Sequence, residues 1–340
     1  MKRSAVGLAE IADWHTLAAA FHHAARGKGR RDEVRCFRAA LMDELSGLRR
    51  DILDGTVAVG HTRRFRIRDP KPRVIHAPCF RERVLHHAVM AHAGPVLERG
   101  LVDDTFACRP GKGTLAAVRR AAHHADRFPW YGQIDIRSYF AGIDHVRLLR
   151  LLARRFKDAG LLALFARIVD AHHDSPGKGL PIGALTSQHF ANAYLGGLDR
   201  FLLERCKVRG MVRTMDDLVW WGDDKAAVRA AMADVRHSVG DELDLAVKEP
   251  VRIGRSRLGL AFCRYRVVPG ASPVAAAEAA LRHRAPPVGG GLSGRAHRRA
   301  GGPGRMLWRP GHHRPCRSRG MAAGASAPPA SCRRARPALT

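Results

Sequence analysis

Three carboxylates stand out by their surroundings. Asp135 closes the apolar run WYGQIDI, and Asp216 and Asp217 sit between apolar flanks in MVRTMDDLVWW. Carboxylates set among Ile, Met, Leu, Val and Trp are costly to desolvate unless something compensates their charge. A divalent cation is the natural compensation, and magnesium is a hard ion held by one or two carboxylates together with substrate phosphates. Two such ions, roughly 3.5–4 Å apart, stabilise the attacking and leaving oxygens of a phosphoryl transfer. A lone Asp-Asp reads first as a solvated turn in an ordinary hairpin, so the rest of the chain has to carry the metal reading.

Positioning these groups requires a sheet. Trp130–Ile136 has the pattern of a buried strand, and Met211–Met215 and Leu218–Gly222 read as two strands around a tight Asp-Asp turn. Helical patterns occupy 81–98, 113–125, 145–172 and 185–206, the last with Thr186 or Ser187 near its N-cap. A helix from about 223 to 239 and a short strand at 243–247 follow. Strand, helices, strand, strand, helix, strand is the order of a split βαβ sheet with helices on one face. Such a sheet brings the end of its first strand beside the hairpin of the next two, so Asp135 is expected to meet Asp216 and Asp217.

The flanking zones differ. Residues 1–58 read as helices, with stripes Leu17, Phe21, Ala24, Ala25 and Val34, Phe37, Leu41, Leu45, Leu48 separated by Gly27-Lys28-Gly29. Residues 59–270 mix strands and helices, beginning with a basic extended stretch interrupted by Pro70 and Pro72. Residues 271–340 hold 10 Gly, 9 Pro and 13 Arg against one Glu, with neither Lys nor Asp. That composition does not support a packed core, and disorder is expected.

Net charge is +28, from 59 basic and 31 acidic residues, which points to a polyanionic partner, nucleic acid ahead of a membrane. Arg outnumbers Lys 50 to 9, a bias of GC-rich coding that weakens the argument from charge alone. No run of 18 apolar residues exists and the N-terminus has no apolar leader core, so a cytoplasmic protein without a membrane span is expected. Seven Cys, none in a CxxC pair, indicate reduced thiols rather than a disulfide framework or zinc site.

In motif order the chain from about 63 to 268 resembles the fingers and palm of reverse transcriptases. DPKPRVIHAPCFRERVLHHAV and DDTFACRPGKGTLAAV resemble the two fingers blocks. QIDIRSYFAGIDH resembles the strand with the first catalytic aspartate, and GLPIGALTSQHFANAYLGGLDRFL the block contacting template and nucleotide. VRTMDDLVWWGD resembles the xxDD hairpin, and LDLAVKEP and GLAFCRYRV the last palm blocks. The resemblance implies an α+β fold, a right-hand polymerase with fingers and a split βαβ (ferredoxin-like) palm, that synthesises DNA on an RNA template.

The same resemblance implies roles by position. Asp135, Asp216 and Asp217 would hold two Mg2+ ions, Mn2+ being the alternative, with the Ile136 carbonyl as a further ligand. Phe140 would lie against the sugar and exclude a 2′-hydroxyl; plain core packing is its other reading. Gly183, Ser187 and Gln188 would line the nucleotide site, and Lys71 and Arg73 would neutralise the triphosphate. Arg81, Arg83, Arg109 and Lys112 would contact phosphates or template, or be ordinary surface charges. Lys248 would protonate pyrophosphate. The implied partners are an RNA template, a DNA or RNA primer and dNTPs.

Three departures from the family pattern shape the expectation. The string Ile182-Gly183-Ala184-Leu185-Thr186-Ser187-Gln188 has Ile where most members carry Gln, and this IGxxxSQ form resembles the enzymes of diversity-generating retroelements. Those work with a small basic accessory protein and copy with errors opposite adenine, and fewer hydrogen bonds near the nascent pair would loosen geometric checking. Thr214 replaces the usual aromatic residue of xxDD. The region after the palm lacks the helical thumb pattern, and 271–340 resembles out-of-frame translation of GC-rich DNA, with a natural basic tail as the other reading. A non-catalytic nucleic-acid-binding remnant, or a group II intron, retron or phage-defence enzyme, are the competing functions.

Overall fold

The computed structural model describes residues 2–68 and 72–270. Lys71 and the expected tail at 271–340 lie outside the described residues.

Four helices open the chain: α1 (Leu8–Ile11), α2 (Trp14–Ala25), α3 (Asp32–Ala39) and α4 (Leu41–Leu53). The two apolar stripes read from sequence bury here, with Leu17, Phe21, Val34, Phe37, Leu45 and Leu48 all inside. Asp13 caps α2 by accepting from the Thr16 amide at 3.0 Å, meeting one of the unsatisfied donors of a helix start. Phe21, Phe37 and Phe80 form a mutual aromatic cluster with centroids 5.1–6.0 Å apart, which seats this layer on α5 (Phe80–Glu98). Between them, strands β1 (Thr62–Arg68) and β2 (Pro72–Pro78) form an antiparallel hairpin whose side chains are largely exposed.

The layer on α5 carries a pH liability. His87 lies across from His23, ring centroids 6.0 Å apart. Burial first, then the charges of His23, Lys28, His86 and Arg83, hold its imidazole down to about 4 from an ordinary 6.5. Between those values the unfolded chain binds a proton that the fold refuses. Stability is therefore full above pH 6.5 and is lost as pH falls toward 4. Discounted for solvent screening at a half-buried ring, the loss is roughly 1–2 kcal/mol. Urea midpoints at pH 7.5 and 5 should fall by this much more for the wild type than for His87→Gln; equal slopes would remove His87 as the cause.

The central sheet follows from α6 (Thr114–Arg127), β3 (Trp130–Asp135), three helices α7 (Tyr139–Gly142), α8 (His145–Ala153) and α9 (Ala159–Asp170), then α10 (Leu185–Tyr194), α11 (Gly196–Arg200), β4 (Gly210–Thr214), β5 (Asp217–Gly222), α12 (Lys225–His237) and β6 (Arg252–Arg255). A final hairpin, β7 (Leu260–Phe262) and β8 (Tyr265–Val267), closes the described chain. The sheet order is β4-β5-β3-β6, every neighbouring pair antiparallel, which is the split βαβ connectivity. The protein is thus a mixed helix and sheet fold, and no helix among the described residues is long and apolar enough to cross a membrane.

Three expectations need correction. Residues 243–247 are not a strand, and β6 lies further on at 252–255. Asp244 sits at φ +54, a left-handed conformation that a strand cannot contain, so only Val247 bridges the sheet, opposite Ile136. The helix expected over 185–206 breaks at Leu195 into α10 and α11 and ends in a π-type turn, Phe201–Arg205. Helices also cover both sheet faces rather than one. Ile134, Leu218 and Trp220 pack with Met232 and Val235 of α12, while Tyr131, Val219 and Trp221 pack with Val118 and Ala121 of α6 and Phe262 of β7. The reason is that both sets of alternating side chains on β5 are apolar, so neither face tolerates water.

Candidate active site

Strand register carries the site. β3 and β5 are antiparallel partners, and their terminal pair is Asp135 opposite Asp217. Directly opposed carboxylates in a sheet repel, so the placement lowers stability unless a cation offsets it. Asp216 lies in the turn between β4 and β5, and its carbonyl accepts from the Ile136 amide at 3.3 Å, fastening the turn to the chain just beyond Asp135. Met215, before it, has φ +59, which turns the chain sharply enough to bring both aspartates to the sheet end.

Charge strain is visible at Asp216 and Asp217. Burial pushes the Asp216 carboxyl up, and the adjacent Asp135 adds to this while Arg73 opposes it. Asp217 is pushed up to about 6 by burial first and by the charges of Asp135 and Asp216, against hydrogen bonds from Gln133 and the Cys263 backbone. The charge of Arg73, on exposed β2, acts on Asp216.

Lys248 stands at the third side, with Nζ 2.7 Å from Asp135 Oδ2, and its amide donates to the Asp135 carbonyl at 2.8 Å. Among the described residues no three His, Cys, Asp or Glu side chains form a ready-made metal cage. The donor set still suits a hard cation: three carboxylates interact at one sheet end, burial pushes two of them upward, and the partner of the third is a displaceable ammonium.

Around the carboxylates the proposed nucleotide residues separate into groups. Phe140 is half-buried, packed on the main core, its ring centroid 5.8 Å from that of Tyr139. Gly183 has φ +121, and a Cβ there would meet the His76 carbonyl oxygen and Ile75 Cγ2 at 2.9 Å. The strand β2 therefore runs directly against it, with the His76 amide donating to the Ile182 carbonyl at 2.8 Å. Ser187 is buried in the first turn of α10, and the next residue, Gln188, accepts from Cys108 Sγ at 3.6 Å. Thr186 is likewise buried, and the helix N-cap is Ala184.

The four basic residues assigned to template or phosphates are engaged internally. Arg81 pairs with Asp51 at 2.9 Å and Glu44 at 3.6 Å on α4. Arg83 pairs with Glu33 and donates to the Pro78 carbonyl. Arg109 pairs with Glu98 and donates to the Val102 and Thr105 carbonyls at 2.7 Å. Lys112 pairs with Asp103 at 2.7 Å and lies over the Phe106 ring. These contacts are enough to explain each side chain as an anchor of its own loop or helix.

Sequence reasoning missed two residues at this site. Gln133 donates to Asp217 Oδ1 and to the Ala261 carbonyl, both at 3.0 Å, and so ties Asp217 to the β7–β8 hairpin. Its signal was present, because residue i−2 in a strand shares the face of Asp135. Arg213, wholly buried, had a weaker one: a lone Arg inside an apolar strand.

The fold and the carboxylate cluster define a mixed helix and sheet protein with an acidic site at one end of a split βαβ sheet. Its curated relatives include a group II intron-encoded protein. The chain is 27% identical over 180 residues to protein YkfC of Escherichia coli K12, which covers 49% of this chain and 47% of that one. It is 25% identical over 171 residues to the group II intron-encoded protein LtrA of Lactococcus lactis, 48% of this chain and 28% of that one. The chain thus spans less than half the length of these relatives. Among solved structures, an apo telomerase from Candida tropicalis truncated from its C-terminal domain aligns with a TM-score of 0.45 at 13% identity, over 60% of this chain and 52% of that one. No protein-family profile matches the chain. The kinship with group II intron-encoded proteins supports the reverse transcriptase resemblance of the motifs.

Proposed function

We propose that this chain is a reverse transcriptase that extends a primer on an RNA template by two-metal nucleotidyl transfer, with the described residues supplying its fingers and palm. The observation that carries the reading is the cross-strand pair of Asp135 and Asp217 with Asp216 in the adjoining turn. Asp135, Asp216, Asp217 and the Ile136 carbonyl would hold two magnesium ions, with manganese as the alternative, which supply charge stabilisation to the attacking 3′-hydroxyl and the leaving pyrophosphate. Arg73, whose charge acts on Asp216, neutralises the triphosphate. Phe140 bounds the sugar, and Gly183, Ser187 and Gln188 line the base and template side. Lys248 holds its proton 2.7 Å from Asp135, where a departing pyrophosphate oxygen can take it.

Two settings compete for the biology. The relationship to LtrA favours a group II intron context. The IGxxxSQ string favours a diversity-generating retroelement with a small basic accessory protein. Oligo(dT) on poly(rA), with magnesium and dTTP, is expected to be extended. Binding of the hybrid without extension would instead establish a non-catalytic remnant. On a mixed template, misincorporation concentrated opposite adenine supports the retroelement setting, and an even error spectrum the intron setting.

A further inference from the structure

Arg213 lies on β4, beside the carboxylate turn, with no exposed surface, and its partner Asp199 on α11 is equally buried. Its five N–H groups all have acceptors. Nε and Nη2 reach the two Asp199 oxygens at 2.6 and 2.7 Å, Nη2 also reaches the Asn192 carbonyl at 3.0 Å, and Nη1 reaches Asn192 Oδ1 at 3.0 Å and the Met215 carbonyl at 2.9 Å. The partners are themselves tied down: Thr105 donates to Asp199 at 2.8 Å, and Asn192 donates to the Ala107 carbonyl at 2.8 Å. Burial pushes the guanidinium pKa down, and Asp199 more than restores it, so Arg213 stays charged.

A wholly buried ion pair is weak evidence for stability, because apolar residues of similar volume often do as well. What apolar residues cannot do is hold four chain segments at fixed angles. The planar fork joins α11, α10 and the turn at once, and Asp199 and Asn192 carry the link on to the 105–107 loop, a directional task that Lys cannot copy. Two of those segments bear the proposed chemistry. Met215 is the strained left-handed residue before Asp216, a conformation that persists only when its surroundings over-determine it. Asn192 lies on α10, the helix of Ser187 and Gln188, and the Tyr139 hydroxyl donates to the neighbouring Ala191 carbonyl, so Phe140 is linked to the same helix.

We propose that Arg213, clamped by Asp199 and Asn192, is a positioning residue that locks the Asp216–Asp217 turn in register with α10, so that the carboxylates and the nucleotide-facing helix move as one body. Its kinetic consequence rests on the polymerase reading; its structural consequence does not. The test compares Arg213→Lys, the milder Thr105→Val, and Leu48→Ala on α4 as a control that lowers Tm without touching this network. Amide exchange across 214–217 in the metal-free chain should be at least tenfold faster in Arg213→Lys than in Leu48→Ala. Under extension conditions kcat should fall about 30-fold with KM for dTTP within threefold. Thr105→Val should shift both in the same direction by about threefold, and it decides the matter if Arg213→Lys does not fold. Exchange at the turn equal to that of the control, or a kcat loss no greater than the control's, overturns the proposal. A wild type that extends no primer removes the polymerase reading, and the exchange measurement still stands or falls alone.

Discussion

Asp217→Asn should abolish primer extension and yet make the metal-free protein harder to unfold. On the proposed two-metal reading the activity loss follows from removing a charged ligand: about 1,000-fold or more in kcat, equal to about 4 kcal/mol. The stability gain follows from the same geometry. Asp217 faces Asp135 across the β3–β5 ladder and is held up to about 6 by burial and by two neighbouring charges. At pH 7 the wild type must keep a carboxylate that its surroundings disfavour, at a cost of roughly 3 kcal/mol, part of which Asn recovers. Asn keeps an acceptor for Gln133 and carries no charge. Tm of the variant should exceed that of the wild type by roughly 2–6 °C in chelator at pH 7. The sign with pH is fixed: below pH 6 the folded wild type takes up a proton that the unfolded chain does not, so the gap should close as pH falls toward 4. Saturating magnesium should reverse the order, because the ion stabilises only the chain that binds it. An inactive variant with an unchanged or lower Tm in chelator would show that the carboxylates do not strain one another.

The second large effect is predicted three residues before Asp135. Gly132 lies in β3 opposite Trp220, which has no exposed surface. A Cβ at Gly132 would stand 2.6 Å from Trp220 Cε2 and Cζ2, closer than any packed carbon pair allows. The indole cannot retreat, because Leu218, Met211 and α12 close the core around it. Gly132→Ala should therefore cost about 1–3 kcal/mol as overpacking, despite the better strand propensity of Ala. Trp220→Phe removes the colliding edge at its own cost. The double variant should be more stable than the sum of the two singles by about 1 kcal/mol in urea midpoints. Strict additivity would mean that the strand moves to make room, which would also move Asp135.

Why some of this was legible in the chain and some was not comes down to range. Short continuous apolar runs mark β3 and β5 because each buries both faces, and their ends place Asp135 and Asp217 without knowledge of the rest. Helices α2, α3 and α4 are legible from helical periodicity, each showing one buried stripe. The fourth strand was misplaced because Leu243–Val247 is the more apolar segment, whereas Arg252–Arg255 becomes a strand only by adding to β3. Propensity yields to pairing at a sheet edge.

Charged residues divide the same way. Local sequence identifies Asp135, Asp216 and Asp217 as costly carboxylates, because their apolar neighbours adjoin them in the chain. It does not distinguish Arg213, locked inside the fold on Asp199, from Arg73, which stands on exposed β2 near Asp216. Nor does it show that Arg81 and Arg83 answer carboxylates of the N-terminal helices. An ion pair is a matter of distance in space, and its partners here come from segments that only packing brings together. The chain by itself determined the apolar runs that bury the two central strands and set acid at their ends; the tertiary structure alone decided which basic groups lie near that acid and which are spent holding the frame.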